Sequence, residues 1–348
     1  MRESCRMRIE RKTSPPKKWN EWIRQGMGGP YQTRQFADYW SAILGYRPLF
    51  LVVGEPERPL GALLAFQYSP LQRKLYEKRG SRQIHALTWP LIRSIGSIDG
   101  PAICQSCNRR EVVSALFAEL RQCAGFAGGV RWKSTCHWEM SGEEEGSGDR
   151  NIGKGIREDK GFTPVVRLGQ NLDEAWRCMP KEGRKAVRRA ERQGITIRCL
   201  DGGDIKEAHE FWQLCDRAKG GKSYGDRLPE MSSRYLAEED FHVRYFIASH
   251  EGSPIAGLGL HAFGGIACEI AAWSTPESVA AHLGGGDAIK WAVIKWCIEH
   301  KVVVYDLMGI VQPPRNSKEE GIGRFKKKWT KEIIPLNSLR TVMAILPP

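Results

Sequence analysis

The sequence predicts an α/β (α+β) chain of two lobes, each a mixed sheet flanked by helices. Three observations lead there. The chain has 348 residues, a length that favours two domains. Residues 141–160 hold Gly, Glu, Asp and Lys with almost nothing apolar, the composition of an exposed connection. After this break the same kinds of strand and helix begin again. The expected division is a disordered basic lead-in at 1–18, an N-terminal lobe at 19–145, a linker at 146–160 and a C-terminal lobe at 161–348.

In the front half, Ser14-Pro15-Pro16 breaks a polar, basic start. A helix is expected near 19–25. A second follows over 32–44, where Phe36, Tyr39, Trp40 and Ile43 recur at helical spacing. Residues 48–54 and 60–68 read as a hairpin around a turn at 55–59. Residues 96–101 form a turn-rich stretch. A helix then spans 110–123, with Val113, Leu116, Phe117 and Leu120 on one face, and a strand spans 129–138.

The back half opens with a strand at 162–168 and a helix capped by Asn171 or Asp173. A basic helix covers 181–193 and ends at Gly194. A strand at 195–200 and a helix at 204–219 come next, and 219–231 reads as a Gly/Lys/Tyr loop. Strands at 243–249 and 254–263 pair across Glu251-Gly252-Ser253, followed by a strand at 266–274. The helix at 287–300 carries Ile289, Ala292, Val293, Trp296 and Cys297 as one stripe. A Val-rich strand at 301–308 leads into a Pro/Arg/Asn loop, a Lys-rich segment and a last strand at 339–345.

The composition bounds function. Apolar residues make up 41% and charged residues 27%, as in soluble globular chains. No stretch reaches the roughly 18 apolar residues of a membrane span, and the start lacks a signal-peptide h-region. A cytoplasmic location is therefore expected. The net charge of +13 favours an anionic partner: nucleic acid, a nucleotide, pyrophosphate or an acidic membrane face. The ten cysteines read as free thiols. Cys104-x-x-Cys107 with Cys123, Cys136 and His137 raises a zinc alternative whose spacing fits no common module, so the expectation is no metal.

Three features carry chemistry. The basic helix sets Arg184, Lys185, Arg188, Arg189 and Arg192 around a small inner face of Ala186, Val187 and Ala190, and its outer cations suit phosphates. The strand end Tyr305-Asp306-Leu307-Met308-Gly309 precedes Gly321-Ile322-Gly323-Arg324-Phe325-Lys326, where a lysine can stabilise a developing oxyanion. Gly284-Gly285-Gly286, before a helix, fits an anion or pyrophosphate cradle. No Ser/His/Asp or Cys/His set stands out, so no nucleophilic mechanism is indicated.

The back half resembles the FemABX aminoacyltransferases. Arg184, Ala190 and Gly194 sit in the pattern of their Arg-x-x-x-x-x-Ala helix ending in glycine. Tyr305, Asp306, Gly309, Gly321, Ile322, Phe325 and Lys326 match the later aromatic-Asp-x-x-Gly and Gly-Ile-x-x-Phe-Lys signature. Tyr31-Gln32-Thr33 and Gly100-Pro101 resemble the front half more loosely. The resemblance implies two lobes of GNAT (acyl-CoA N-acyltransferase-like) type with a cleft between them. It also implies transfer of an amino acid from aminoacyl-tRNA to the peptide stem of a UDP- or lipid-linked peptidoglycan precursor, a step in cell-wall biogenesis and cell shape. Lys326, with Phe325 beside it, would steady the tetrahedral intermediate. Lys222, Tyr224 and Arg227 would hold the precursor, together with Arg184, Arg188, Gly284 and Gly286. Asp99 and Asp306 are the candidate bases, Asp306 equally a structural cap. Departures exist: the strand 266–272 has Glu269 and Ile270 where the family often has an aromatic, with Trp273 nearby, and the short stretch 219–235 leaves no room for a long two-helix arm. No cofactor is expected beyond the co-substrate, and no DNA. Peripheral contact with the inner membrane face is an expected association. Two other readings stand beside this one. An acyl-CoA-dependent N-acyltransferase is supported by Gly284 and Gly286 and weakened by Ala281, which occupies a usual Gln/Arg position. A non-catalytic RNA- or membrane-surface-binding protein would use the basic faces alone.

Overall fold

The computed structural model describes residues 7–69, 89, 93–104, 106–125, 129–135, 156–220, 227–236 and 240–341. The chain divides into two compact units, Met1–Gly161 with Pro335–Pro348, and Phe162–Ile334.

The first unit is built on β1 (Ile9–Lys12), α1 (Trp19–Gln25), α2 (Arg34–Leu44), β2 (Arg47–Glu55), β3 (Arg58–Tyr68), β4 (Ser94–Ser97), β5 (Ala102–Ile103), α3 (Arg109–Cys123) and β6 (Val130–Thr135). β1, β2, β3 and β4 pair antiparallel in that order, β4 and β6 pair parallel, and β5 lies beside β3. The continuous apolar run of β2 follows from burial on both faces. Leu49, Leu51 and Val53 pack with Val112, Leu116 and Leu120 of α3, while Phe50 meets Trp19 of α1 at 4.9 Å between ring centroids. Asn108 caps α3: its side-chain oxygen accepts from the Glu111 amide, and its side-chain amide donates to the Glu111 carboxylate at 2.9 Å. The two loosely matched front-half motifs meet here. The buried Gln32 side chain accepts from the Leu64 amide at 2.8 Å and donates to the Asp99 carbonyl at 2.6 Å. Gly100, at φ +93°, has no room for a Cβ beside that side chain.

One expectation changes in this unit. Part of the basic lead-in is a strand: β1 pairs with β2, and Arg11 forms an ion pair with Glu119. The zinc grouping does not assemble. Cys107 and Cys123 sit at opposite ends of α3, which at 1.5 Å per residue separates them by about 20 Å. Cys136 and His137 lie outside the described residues, among which no metal-binding cluster occurs.

The second unit holds β7 (Ile156–Arg167) from Phe162 onward, α4 (Leu172–Cys178), α5 (Lys181–Arg192), β8 (Thr196–Asp201), α6 (Ile205–Ala218), α7 (Arg227–Leu236), β9 (Phe241–His250), β10 (Ser253–Phe263), β11 (Ile266–Ser274), α8 (Pro276–Ala280), α9 (Gly285–Glu299), β12 (Val304–Asp306) and α10 (Ser317–Lys327). Its sheet runs β8-β9-β10-β11-β12-β7, antiparallel except for the parallel β11–β12 pair. Glu251 and Gly252 turn between β9 and β10 at φ 50° and 77°, the positive-φ pair a two-residue hairpin needs. Val187, Leu258, Leu260, Ile289, Val293 and Trp296 contribute to the core. The last strand, β13 (Ile333–Thr341), pairs antiparallel with β6 of the first unit's sheet. No described helix is long and apolar enough to cross a membrane.

Two helices here replace expected loops. α7 begins inside the 219–231 stretch because Pro229, Ser232 and Leu236 form a buried face at helical spacing. α10 covers the segment through Gly321 and Gly323. Asn316 accepts from the Glu319 amide, and this cap offsets two glycines of poor helix propensity. A Cβ added at either glycine meets nothing within 4 Å. Gly321→Ala and Gly323→Ala are therefore each expected to stabilise the protein by about 0.5–1 kcal/mol, measured as a raised denaturation midpoint.

His261 sits in the core at 4% exposure, and burial drives its pKa from 6.5 down to about 3. The unfolded chain takes up this proton near pH 6.5 and the folded chain does not. Stability is thus fully present above pH 6.5 and falls as pH drops toward 3, with a slope of up to about 1.4 kcal/mol per pH unit. Urea titrations between pH 4.5 and 7 should show this slope flattened in His261→Leu.

Candidate active site

The parallel pair β11–β12 sets the site. β12 is three residues long, so pairing ends at Cys268–Asp306 while β11 continues to Ser274. Glu269 is the first residue beyond the last pair. Asp306 fixes the end of β12. Its carboxylate accepts from the Thr163 hydroxyl and, at 2.6 Å, from the Met308 amide, and Met308 takes φ 64°. This is the structural cap that sequence left open as one of two roles for Asp306.

Lys326, near the end of α10, reaches back to the same strand end. Its ammonium donates to the carbonyls of Met308 at 3.0 Å and Gly309 at 3.2 Å. Phe325 faces α9: a Cβ on Gly286 would lie 3.4 Å from its ring. Two more ammonium groups approach that ring, Lys328 at 4.6 Å and Lys290 at 5.8 Å from its centroid, within cation–π range.

Behind Phe325 lies a buried polar cluster. The Lys290 ammonium, on a residue 2% exposed, forms an ion pair with Glu269 and contacts the Tyr305 hydroxyl at 3.4 Å. Tyr305 in turn donates to Glu269 at 2.6 Å. Burial pushes the Lys290 ammonium below its ordinary pKa, against the pull of Glu269. Burial, and then the Glu269 charge, raise the Tyr305 phenol well above its usual range. Asp287, in the first turn of α9, is paired with Lys328 at 2.5 Å and Arg189 at 3.3 Å.

α5 meets α10 at this place. A Cβ on Gly183 would lie 2.7 Å from the Lys328 carbonyl oxygen. A groove of about 350 Å³ between them is lined by Glu182, Ile310, Pro314, Gly323, Lys327 and Lys328, among others.

The sequence-predicted residues are distributed as follows. Lys326, Phe325, Asp306 and Gly286 come together. Gly284 packs against Ala190 and receives the Gln193 side-chain oxygen on its amide at 2.9 Å, so it seats α9 on α5. Arg184 turns the other way: its guanidinium donates to the carbonyls of Trp176, Arg177 and Met179 at 3.3, 3.1 and 2.5 Å, satisfying the C-terminus of α4. Arg188 is exposed and lies 5.5 Å over the Trp176 ring. Arg227 begins α7, and Lys222 and Tyr224 lie outside the described residues. Asp99 belongs to the first unit and is buried at 3% exposure.

Lys290, Asp287 and Lys328 were not among the candidates, and Glu269 was noted only as a departure. A signal existed. Asp287 and Lys290 fall on the stripe that continues to Ile294 and Cys297, and a charge inside an apolar stripe is a buried charge in need of a partner. Glu269 is likewise the lone acid of an apolar strand.

Comparison with known proteins agrees with this architecture. Residues 180–327 match the family model described as an acetyltransferase (GNAT) domain. The crystal structure of FemX superposes with a TM-score of 0.64 at 14% identity, covering 94% of this chain and 96% of that one. L-PGS from Bacillus licheniformis gives 0.52 at 13% identity over 97% and 95%. A tandem GNAT protein from the clavulanic acid biosynthesis pathway gives 0.51 at 11% over 98% and 100%. At these identities the likeness is one of fold. No curated protein sequence matches the chain. Residues 180–327 are thus an acyltransferase domain of GNAT type, and the chain as a whole has the FemX-like, two-lobed fold.

Proposed function

We propose that the chain is an aminoacyltransferase, moving an amino acid from aminoacyl-tRNA to an amine on the peptide stem of a peptidoglycan precursor in the cytoplasm. The observation that carries this reading is Lys326, an ammonium anchored to two backbone carbonyls where β11 and β12 part, with Phe325 and Lys328 beside it. The acceptor amine attacks the ester carbonyl directly. A carbon–nitrogen bond forms, the ester carbon–oxygen bond breaks, and the amine's proton ends on the released ribose hydroxyl. Lys326 stabilises the oxyanion formed between these events, an electrostatic role that costs no reorganisation in a fixed group. Asp306 holds the strand end that anchors Lys326 and is a positioning residue. The exposed cations of α5, Lys185, Arg188 and Arg192, meet phosphates of the tRNA or of the UDP- or lipid-linked precursor. Lys222, Tyr224 and Arg227 belong to the precursor side of this reading, Asp99 stays a candidate base, and contact with the inner membrane face accompanies a lipid-linked acceptor.

The acyl-CoA alternative draws on the GNAT match and on Gly284 and Gly286. Against it, the first turn of α9, where a pyrophosphate would sit, already carries the Asp287 carboxylate. Incubating the protein with a pool of charged tRNAs and UDP- or lipid-linked precursors, read by mass spectrometry, tests the proposal. A precursor heavier by one amino-acid residue supports it. An unchanged precursor with every charged tRNA argues it down.

A further inference from the structure

Cys104-x-x-Cys107 has no part in the transfer reading, yet the structure gives it a defined geometry. The two cysteines bracket the turn between β5 and α3 in the first unit. The Cys107 amide donates to the Cys104 carbonyl at 3.3 Å. That bond holds the two Cα atoms within about 7 Å of each other, and a disulfide needs roughly 4.4–6.8 Å. The Cys107 sulfur folds back over the same turn, 3.0 Å from the Cys104 carbonyl oxygen and 3.4 Å from that of Leu60. The turn is pinned to β3 by the Cys104 amide, which donates to Leu60 at 3.0 Å. Both thiols are unbridged and half-exposed.

The two sulfurs differ in character. Hydrogen bonds from the Ser106 hydroxyl, 3.2 Å away, and from its amide hold the Cys104 thiol below the ordinary range. Desolvation, then the neighbouring Cys104, raises that of Cys107. One attacks first and the other resolves.

We propose that Cys104 and Cys107 form a reversible dithiol–disulfide site that reacts with low-molecular-weight disulfides. The Cys104 thiolate attacks one sulfur of the small disulfide, breaking its S–S bond and releasing one small thiolate. Cys107 then gives up its proton and attacks the Cys104 sulfur, forming the intramolecular S–S bond and expelling the second small thiolate. The two cysteine sulfurs are oxidised, the small disulfide is reduced to two thiols, and the two cysteine protons end on them. A bridge across so short a turn at the surface belongs to the labile rather than the structural disulfides. This site does not depend on the acyl donor, so it stands or falls apart from the function proposed above.

The test equilibrates the full-length protein in glutathione buffers of increasing oxidised fraction. Samples taken at successive times up to equilibrium are acid-quenched, alkylated and peptide-mapped by mass spectrometry. The 104–107 peptide is expected to lose two hydrogens at the oxidising end and to regain them with dithiothreitol. Cys107→Ser is expected to accumulate one glutathione on Cys104, and Cys104→Ser to form neither product. Circular dichroism checks that both variants are folded, and the wild-type titration needs no variant. Cys199, whose thiol desolvation lifts to about 11, is the internal control and should acquire glutathione more slowly. Two alkylated thiols at 104 and 107 under fully oxidising conditions would overturn the proposal, as would glutathione accumulating on Cys107 first.

Discussion

Lys326→Ala is expected to lower the rate of acyl transfer about 10²–10³-fold, the loss seen when one oxyanion donor is removed. The lysine also ties α10 to the carbonyls of Met308 and Gly309, so the variant should lose about 1 kcal/mol of stability as well. The two effects separate experimentally. Single-turnover rates with saturating substrates report the chemical step, and thermal denaturation reports the tie. A variant that melts slightly earlier yet transfers at the wild-type rate would leave Lys326 a purely structural clamp.

Glu269→Ala is expected to produce the largest loss of stability, about 3–5 kcal/mol, because it leaves a buried ammonium without its counter-charge. Lys290 is almost fully enclosed, and the Tyr305 hydroxyl loses its acceptor in the same substitution. The ammonium's pKa, already depressed by burial, should fall further. The triple variant Glu269→Leu, Lys290→Met and Tyr305→Phe should recover most of the stability, since apolar groups of similar volume often replace a buried ion pair and its hydroxyl partner without loss. Chemical denaturation of the three proteins measures both effects. A single variant as stable as the wild type would show that Lys290 finds another partner or reaches water.

The same cluster marks the limit of what sequence patterns convey. Regular elements were legible because burial writes a period into them. Ile289, Val293 and Trp296 gave away α9, and Leu49 through Val53 gave away β2. Asn171 announced the helix it caps. α10 was hidden because two glycines on an open surface look like a loop, and only the Asn316 cap argued otherwise. β1 was hidden because four half-exposed residues in a basic stretch carry no alternation. The return of β13 to the first unit is a pairing with β6 from a distant part of the chain, which no local pattern encodes. Phe325, Lys326 and Asp306, named from a signature, and Gly286, named from the glycine run before α9, lie near one another. Arg184 was misleading because its partners are backbone carbonyls of α4, and these have no letter in the sequence. Glu269 and Lys290 were visible as charges in apolar stripes, but their pairing across β11 and α9 is a tertiary fact.

Donor identity is decided by competition. The protein is given aminoacyl-tRNA and acetyl-CoA together with a peptidoglycan precursor, and the product mass is read with and without prior ribonuclease treatment. A precursor heavier by one amino-acid residue, lost when the RNA is digested, is the expected product. An acetylated product, or aminoacyl transfer that survives ribonuclease, would contradict an aminoacyl-tRNA donor.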